Sequence, residues 1–407
     1  FVFLAIAVFI AAIGGQVAIM VTNCVQGILS YPMYVIIVLT IICRFSWWDQ
    51  IAPTLLERPA GESFLNPFDT YKLRDFNLFY VFVGIIAQIY NMMSWSGTQG
   101  FSASAFSPHE QKMGVVLGTW RSGFATLMYI LLAMAAFTYL NHPDFKNRAA
   151  ATEINIQWKT LNDVAPDGQY AVTGADDVLL QKRIGQLNEK QRQICDTLSR
   201  QMRVPVVLRD ILPIGVTGMF CVIMLFLMTS TDAAYLHSWG SIIVQDMLLP
   251  LRKKPLDTQR HLLYLRLAII GVAIYAFLFS LFFGQVTFIF MFFALTGSVW
   301  LGGAGAVIIG GLYWKRGTVA AAWVTLILGG LLAIAGFICT QYWVDWVYPV
   351  IARDPNTLNF VSNAFAILSR PFEPIVVWRI TPQKFPINGQ EMLFINIISS
   401  VISYVIV

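Results

Sequence analysis

Charge is scarce in this chain: Asp, Glu, Lys and Arg make up 12% of its 407 residues, against about a quarter in an ordinary soluble domain. That scarcity, with 57% hydrophobic residues, 30 Phe and 12 Trp, excludes a water-soluble globular protein and leaves a polytopic membrane protein. Cysteine is sparse too. Cys24, Cys43, Cys221 and Cys339 fall in apolar runs and Cys195 stands alone in a polar one, so neither a disulfide framework nor a zinc-finger spacing is present. There are four histidines, and no nucleophile, base and orienting group occur at a workable spacing, which argues against an enzyme. The net charge of +5 is modest and gives no sign of a nucleic-acid partner. FVFLAIAVFIAAIGG, at the start, lacks the initiator Met and basic leader of a signal peptide. We expect the chain to begin inside a helix and, at LFINIISSVISYVIV, to end inside one, as the middle and end of a longer protein.

Apolar segments long enough to span, at about 20 residues each, are Thr22 to Cys43, Asn77 to Ser96, Trp120 to Leu140, Pro213 to Val244, Leu262 to Phe283, Val286 to Trp314 and Val319 to Tyr342. Partial helices at either end raise the expected number to nine. Lys112, the group Arg252, Lys253, Lys254 and Arg260, and the pair Lys315 and Arg316 sit in alternate connections, which places those connections in the cytoplasm. Parity puts 44–76, 141–212 and 343–391 outside. The expected organisation is membrane helices over 1–140, an extracytoplasmic insertion over 141–212, a membrane core over 213–342, an outer loop over 343–391 and a final partial helix over 392–407. In the insertion, Leu180, Ile184, Leu187, Ile194 and Leu198 share one helical face, preceded by Thr173 and Asp176 at capping-box-like spacing. That face is expected to dock on the outer ends of the membrane helices, or else to receive an accessory protein at the outer helix 176–200.

The run from Leu212 to Asp246 is the most informative. Thr229-Ser230-Thr231-Asp232 interrupts it near the middle, where an Asp costs roughly 2.5 to 3.5 kcal/mol and so should face protein or a wet cavity. One reading is a packing face, because Ser230, Ala234, Ser238 and Ser241 recur at helical spacing. The other is a hard-cation site, because hydroxyl and carbonyl oxygens are what a small hard cation uses in place of its water shell. One helix can hold both. Asn77 to Gly100 crowds Gln88, Asn91, Ser94, Ser96, Thr98 and Gln99 into its inner half, with Gly97 and Gly100 loosening the end. It reads either as a broken, cavity-lining helix or as an interfacial end anchored by Trp95. Gly14-Gly15 fits a tight turn between two membrane helices, Asn23 and Gln26 enter the membrane at the base of the next, and Arg121 is expected to snorkel.

Taken in order, these features resemble the sodium:solute symporter family. Gly14-Gly15, Ala18, Thr22, Asn23 and Gln26 are similar to that family's Gly-Gly, Ala, Thr-Asp and Gln signature, with Asn where Asp is usual. Leu212-Pro213, Gly215 and Gly218 resemble its Leu-Pro-x-Gly-x-x-Gly entry to the eighth core helix. Ser230-Thr231, Leu236-His237-Ser238, Ser241 and Asp246 follow its Ser-Thr, Leu-Asn-Ser, Thr and Asp, and Arg266 and GGLYWKR over 310–316 fall where the family has an Arg and a Gly-Leu-Phe-Trp-Lys-Arg run. The resemblance runs from Gly14 to about Gly330.

It implies an all-α LeuT-type inverted-repeat bundle with an incomplete first repeat, in the plasma (inner) membrane. It also implies sodium-coupled import of a small organic solute by alternating access. Sodium ligands would be the Leu227 carbonyl and the Ser230 and Thr231 hydroxyls, and Asn91, Ser94 and Trp95 would line the solute path. Setting the register on Met228 would instead make Thr229 and Ser230 the ligands. Asn23 lacks the family's charge, which suggests that Asp232 supplies it near the cation. Ala103 and Ser104 depart from a Gln-Arg pair, and Ala233 and Ala234 from the hydroxyls of a second sodium site. The alternatives are a proton-coupled carrier in which Asp232 titrates, and a non-transporting sensor module.

Overall fold

The computed structural model describes residues 2–95, 97, 99–165, 177–252, 256–283, 287–373 and 375–407, and among these there is helix and no strand. In chain order, α1 (Val2–Phe9) passes through a π turn, Ile10–Gly14, into α2 (Gly15–Arg44). Gly15, at φ 61° and ψ −165°, holds a backbone conformation that only glycine adopts readily, so the predicted Gly-Gly pair is where the helix breaks. After α3 (Ala52–Leu56), α4 (Leu78–Ser94) starts on Asn77, whose side-chain Oδ1 accepts from the Tyr80 N–H at 3.1 Å. It stops at Trp95, extended at φ −76° and ψ 112°, before the short α5 (Gln99–Ser102). Both sequence readings, a broken helix and an interfacial end at Trp95, are compatible with this stop.

Then come α6 (Pro108–Asn141), α7 (Lys146–Val164), α8 (Asp177–Gly185) and α9 (Glu189–Ile211). α10 (Ile214–Ile242) begins after Pro213 and continues as a π turn to Leu248. α11 (Thr258–Phe282), α12 (Ile289–Tyr313) and α13 (Val319–Gln341) follow, then α14 (Tyr348–Ile351), α15 (Pro355–Ser369) and α16 (Gly389–Ile406). Among the described residues, seven helical runs are long and apolar enough to cross a bilayer: Val2–Arg44, Pro108–Asn141, Ile214–Leu248, Thr258–Phe282, Ile289–Tyr313, Val319–Gln341 and Gly389–Ile406. α4 is a shorter apolar helix. Gly15 divides the first run, so every expected apolar segment has its helix. The chain is an all-α polytopic membrane protein.

The contacts divide the chain into two compact units. The first comprises Phe1–Trp47, Ser96–Phe137 and Val207–Gly284. Its core joins Ala7, Ala11 and Ile19 to Ala233 and Leu236 of α10 and Ile269 and Ala273 of α11. α10 and α11 touch closely because Gly240 has no side chain: a Cβ there would lie 2.7 Å from Ile269 Cγ1. Arg266 Nε donates to the Ala12 carbonyl at 3.0 Å, so this cation is spent on the end of a helix.

The second unit comprises Trp48–Trp95, Thr138–Val206 and Gln285–Val407. Here the small-residue run Gly302–Ala306 of α12 admits neighbours on three sides, Asn396 at Gly302, Leu326 at Gly303 and Tyr90 at Gly305. Asn396 of α16 is fully buried and its Nδ2 donates to the carbonyls of Ser298 and Gly329, at 3.0 Å each, tying α12, α13 and α16 together. Tyr90 of α4 donates to the Gly302 carbonyl at 3.1 Å.

Two expectations are corrected here. The amphipathic stretch is two helices, interrupted at 186–188, where Asn188 Oδ1 accepts from the Gln191 N–H at 2.7 Å. Its apolar face docks on α7: Leu180 is fully buried with Trp158 and Leu161, and Ile184 and Leu187 pack beside them. α7 thus covers the first half of the face that was expected to rest on the membrane helices, because α7 is the nearer helix in the chain, and Ile194 and Leu198 on α9 are half-buried. Thr173 and Asp176 lie outside the described residues. Within 343–391, expected to be loop, the structure holds α15, capped by Asp354 through the N–H groups of Asn356 and Thr357 at 3.1 and 3.2 Å.

Candidate cation and solute sites

α10 presents different chemistry on its two sides. Leu227 and Ser230 line a cavity of about 350 Å³ in the first unit, together with Asn23, Gln26, Ser30 and Tyr34 of α2 and Ser122, Thr126 and Tyr129 of α6. No charged side chain lines it. Its hydroxyls are largely turned into acceptors by their own helices. Ser30 Oγ donates to the Gln26 carbonyl at 2.7 Å, and Ser122 and Thr126 donate to the carbonyls of Gly118 and Ser122 at 2.9 Å each. A hydroxyl whose proton is committed to a carbonyl four residues back offers only lone pairs to the cavity. Gln26 Oε1 is a buried acceptor with no hydrogen-bond partner, and Tyr34 and Tyr129 share a hydrogen bond. The result is an uncharged, oxygen-rich pocket, which suits a hard monovalent cation or a neutral polar solute.

Asp232 is elsewhere. Two residues on from Ser230, it is turned about 200° around the helix. It lines a separate cavity of about 550 Å³ whose other walls are apolar and aromatic, with Leu4, Tyr235, Trp239 and Tyr275 among them. The structure thus brings Asn23, Gln26, Leu227 and Ser230 together and does not bring Asp232 to them. Thr231 is exposed on the intervening face, and neither it nor Thr229 lines the cavity; Thr229 donates to the Leu225 carbonyl. Of the small residues of the packing reading, Ser238 is buried and Ser230, Ala234 and Ser241 are half-buried, while Ala233, Leu236, His237 and Gly240 beside them are buried. Asp246 falls in the closing π turn.

Asn91, Ser94 and Trp95 belong to the other unit, at the C-terminal end of α4. Asn91 is half-buried and its Oδ1 has no hydrogen-bond partner. Ser94 is only 2% exposed and its hydroxyl donates to the Tyr90 carbonyl at 2.6 Å, so it is turned inward. Trp95 packs beside Tyr90, Leu301, Leu393 and Ile397. Among the described residues no group of three His, Cys, Asp or Glu is placed to hold a metal. Ser30, Ser122, Thr126 and Tyr129 were not anticipated as lining residues. The i, i+4, i+7 spacing of Ser122, Thr126 and Tyr129 in an apolar helix was the available signal.

Residues 188–329 match the model of the sodium:solute symporter family. The match runs from α9 into α13 and includes Leu227, Ser230, Thr231, Asp232, Asp246 and the 310–316 run, so it falls on part of the motif series that carried the resemblance. No curated protein matches the chain. The sodium:solute symporters are transporters and not enzymes. That agrees with a multi-pass membrane protein in which α10, inside the matched residues, contributes Leu227 and Ser230 to a polar cavity whose other walls, α2 and α6, lie outside the match.

Proposed function

We propose that this protein is a sodium-coupled symporter that imports a small organic solute by alternating access, on a LeuT-type inverted-repeat scaffold in the plasma (inner) membrane. The observation that carries the reading is the acceptor-lined, uncharged cavity where Leu227 and Ser230 of α10 meet Asn23 and Gln26 of α2. Sodium is the driving cargo. On α10 its ligands are the Leu227 carbonyl and the Ser230 hydroxyl, which line the cavity, with the Thr231 hydroxyl on the next face joining them only if that face turns inward; Asn91 and Trp95 contact the solute, with Ser94 turned inward behind them. Each positive charge that falls through 100 mV supplies about 2.3 kcal/mol to which the concentration gradient adds. Residues 141–212 and 343–391 lie outside, and the outer segment over 176–200 is the place for an accessory protein, on whatever surface α7 leaves free.

The test is uptake into proteoliposomes from a solute panel with sodium, potassium or a proton gradient imposed. Ser230→Ala combined with Thr231→Ala should raise the sodium concentration for half-maximal uptake at least tenfold, about 1.4 kcal/mol of binding. A lost oxygen is not replaced by water inside the bilayer. Unchanged sodium dependence at normal expression removes the site. One observation favours proton coupling as a second reading: Asp232 is the sole charged residue lining its cavity. Uptake driven equally well by a proton gradient without sodium would select it. Absence of uptake of every solute in the panel under all three gradients would favour a non-transporting sensor instead.

A further inference from the structure

The middle of α10 carries a carboxylate that the sodium and solute residues leave unused. Asp232 lies at the centre of the apolar run Ile214–Leu248, and among the described residues no hydrogen-bond donor or cation meets it. Arg266 of α11 turns to the Ala12 carbonyl instead. An ionisable group at that depth is costly unless a partner compensates it, and it then marks where that partner sits.

The cavity in front of Asp232, about 550 Å³, is built within the first unit. Asp232, Tyr235 and Trp239 recur at helical spacing and share one face of α10, while Leu4 of α1 and Tyr275 of α11 stand on the other walls. Tyr235 and Tyr275 are 37% and 69% exposed, so their rings are open to an occupant. Gly271, one turn before Tyr275, keeps space clear: a Cβ there would meet nothing within 4 Å. Such walls discriminate between cations. A hard inorganic ion needs a shell of oxygens, and beyond Asp232 and the tyrosine hydroxyls this lining is largely carbon. An ammonium ion that carries its own carbon substituents needs no such shell. Its substituents fit apolar walls, and its charge is attracted by the faces of Trp and Tyr rings.

We propose that this cavity binds an organic ammonium ion, its charge held at Asp232 and its carbon substituents seated against Tyr235, Trp239 and Tyr275. Mid-span is too deep for a lipid headgroup, so the ion is a free solute. The site is separate from the acceptor-lined cavity of Leu227 and Ser230. It rests on neither the sodium nor the proton reading, because it asks for a ligand with carbon around its charge.

Calorimetric titration of the full chain in phosphatidylglycerol nanodiscs, corrected for empty discs, tests this at constant ionic strength. The probes are choline and 3,3-dimethylbutan-1-ol, its uncharged carbon counterpart. Choline should bind at least tenfold more tightly than the alcohol, and Asp232→Asn should remove that preference. Tyr275→Leu should weaken choline at least threefold, because leucine keeps the apolar wall and removes the ring face. Gly271→Leu grows into the cavity and should exclude both probes. Equal binding of choline and the alcohol to the unaltered protein overturns the proposal. So does choline binding that Gly271→Leu leaves unchanged, a result that decides the matter where Asp232→Asn does not fold. Absence of choline binding, as when a basic side chain of a neighbouring helix already holds Asp232, overturns it too. The titrations require no transport, so failure of the sodium reading leaves their outcome standing.

Discussion

Single residues decide what each side of α10 can do. Asp232 and Ser230 are two positions apart, and that is enough to put them on different cavities. Asp232→Asn should therefore leave the sodium concentration for half-maximal uptake within about twofold, and adding Asn23→Asp should restore nothing that was lost; sodium-activation curves of the two variants check this. A tenfold weakening by Asp232→Asn, relieved by Asn23→Asp, would show the two residues sharing one cation. At Lys384 the prediction concerns pH. Its folded-state value lies below that of a free lysine, about 10.4, through burial first, with Arg74 lowering it and Asp75 and Glu391 raising it. The unfolded chain then binds the proton more tightly, so stability rises with pH from the folded value up to about 10.4 and the penalty applies in full below that window. Thermal unfolding in detergent between pH 8 and 11 should show this alkaline gain, and Lys384→Met should remove it.

At the scale of elements, the sequence pattern was a good guide to where helices form and a poor one to what they touch. The apolar stripe from Leu180 to Leu198 was legible, but its partner was not, because periodicity states that a face must be buried and never names the surface that buries it. Leu180 is fully enclosed against Trp158 and Leu161. Leu180→Ala should cost roughly 2 to 5 kcal/mol, felt within α7 and α8 and not in the ion dependence of uptake. Limited proteolysis of the outer segment beside a sodium-activation curve measures both. A change in ion preference would mean that this segment is part of the pathway. Asn396 teaches the same lesson. Nothing around it in the sequence marks it as the residue that bonds two other helices, since its partners, the carbonyls of Ser298 and Gly329, are 98 and 67 residues away.

Over the whole molecule, composition alone determined the class: with so little charge and so much apolar length, the backbone must satisfy its own hydrogen bonds in lipid, and helices are one of the few forms that do so. The sequence by itself also determined the break at Gly14-Gly15, the oxygen-bearing stretch over 229–231 and the order of motifs that resembles the symporter family, because glycine and short polar interruptions act locally. Tertiary structure decided the rest. It chose which of the α10 oxygens face the cavity with Asn23 and Gln26, turned Asp232 to another wall, brought Ser122, Thr126 and Tyr129 from α6, and fastened Asp75 to Lys384 across 309 residues. These are choices among the faces of helices that are nearly uniform in hydropathy. In such helices a polar side chain is placed by the neighbour that packs beside it, and the neighbour is set by the fold.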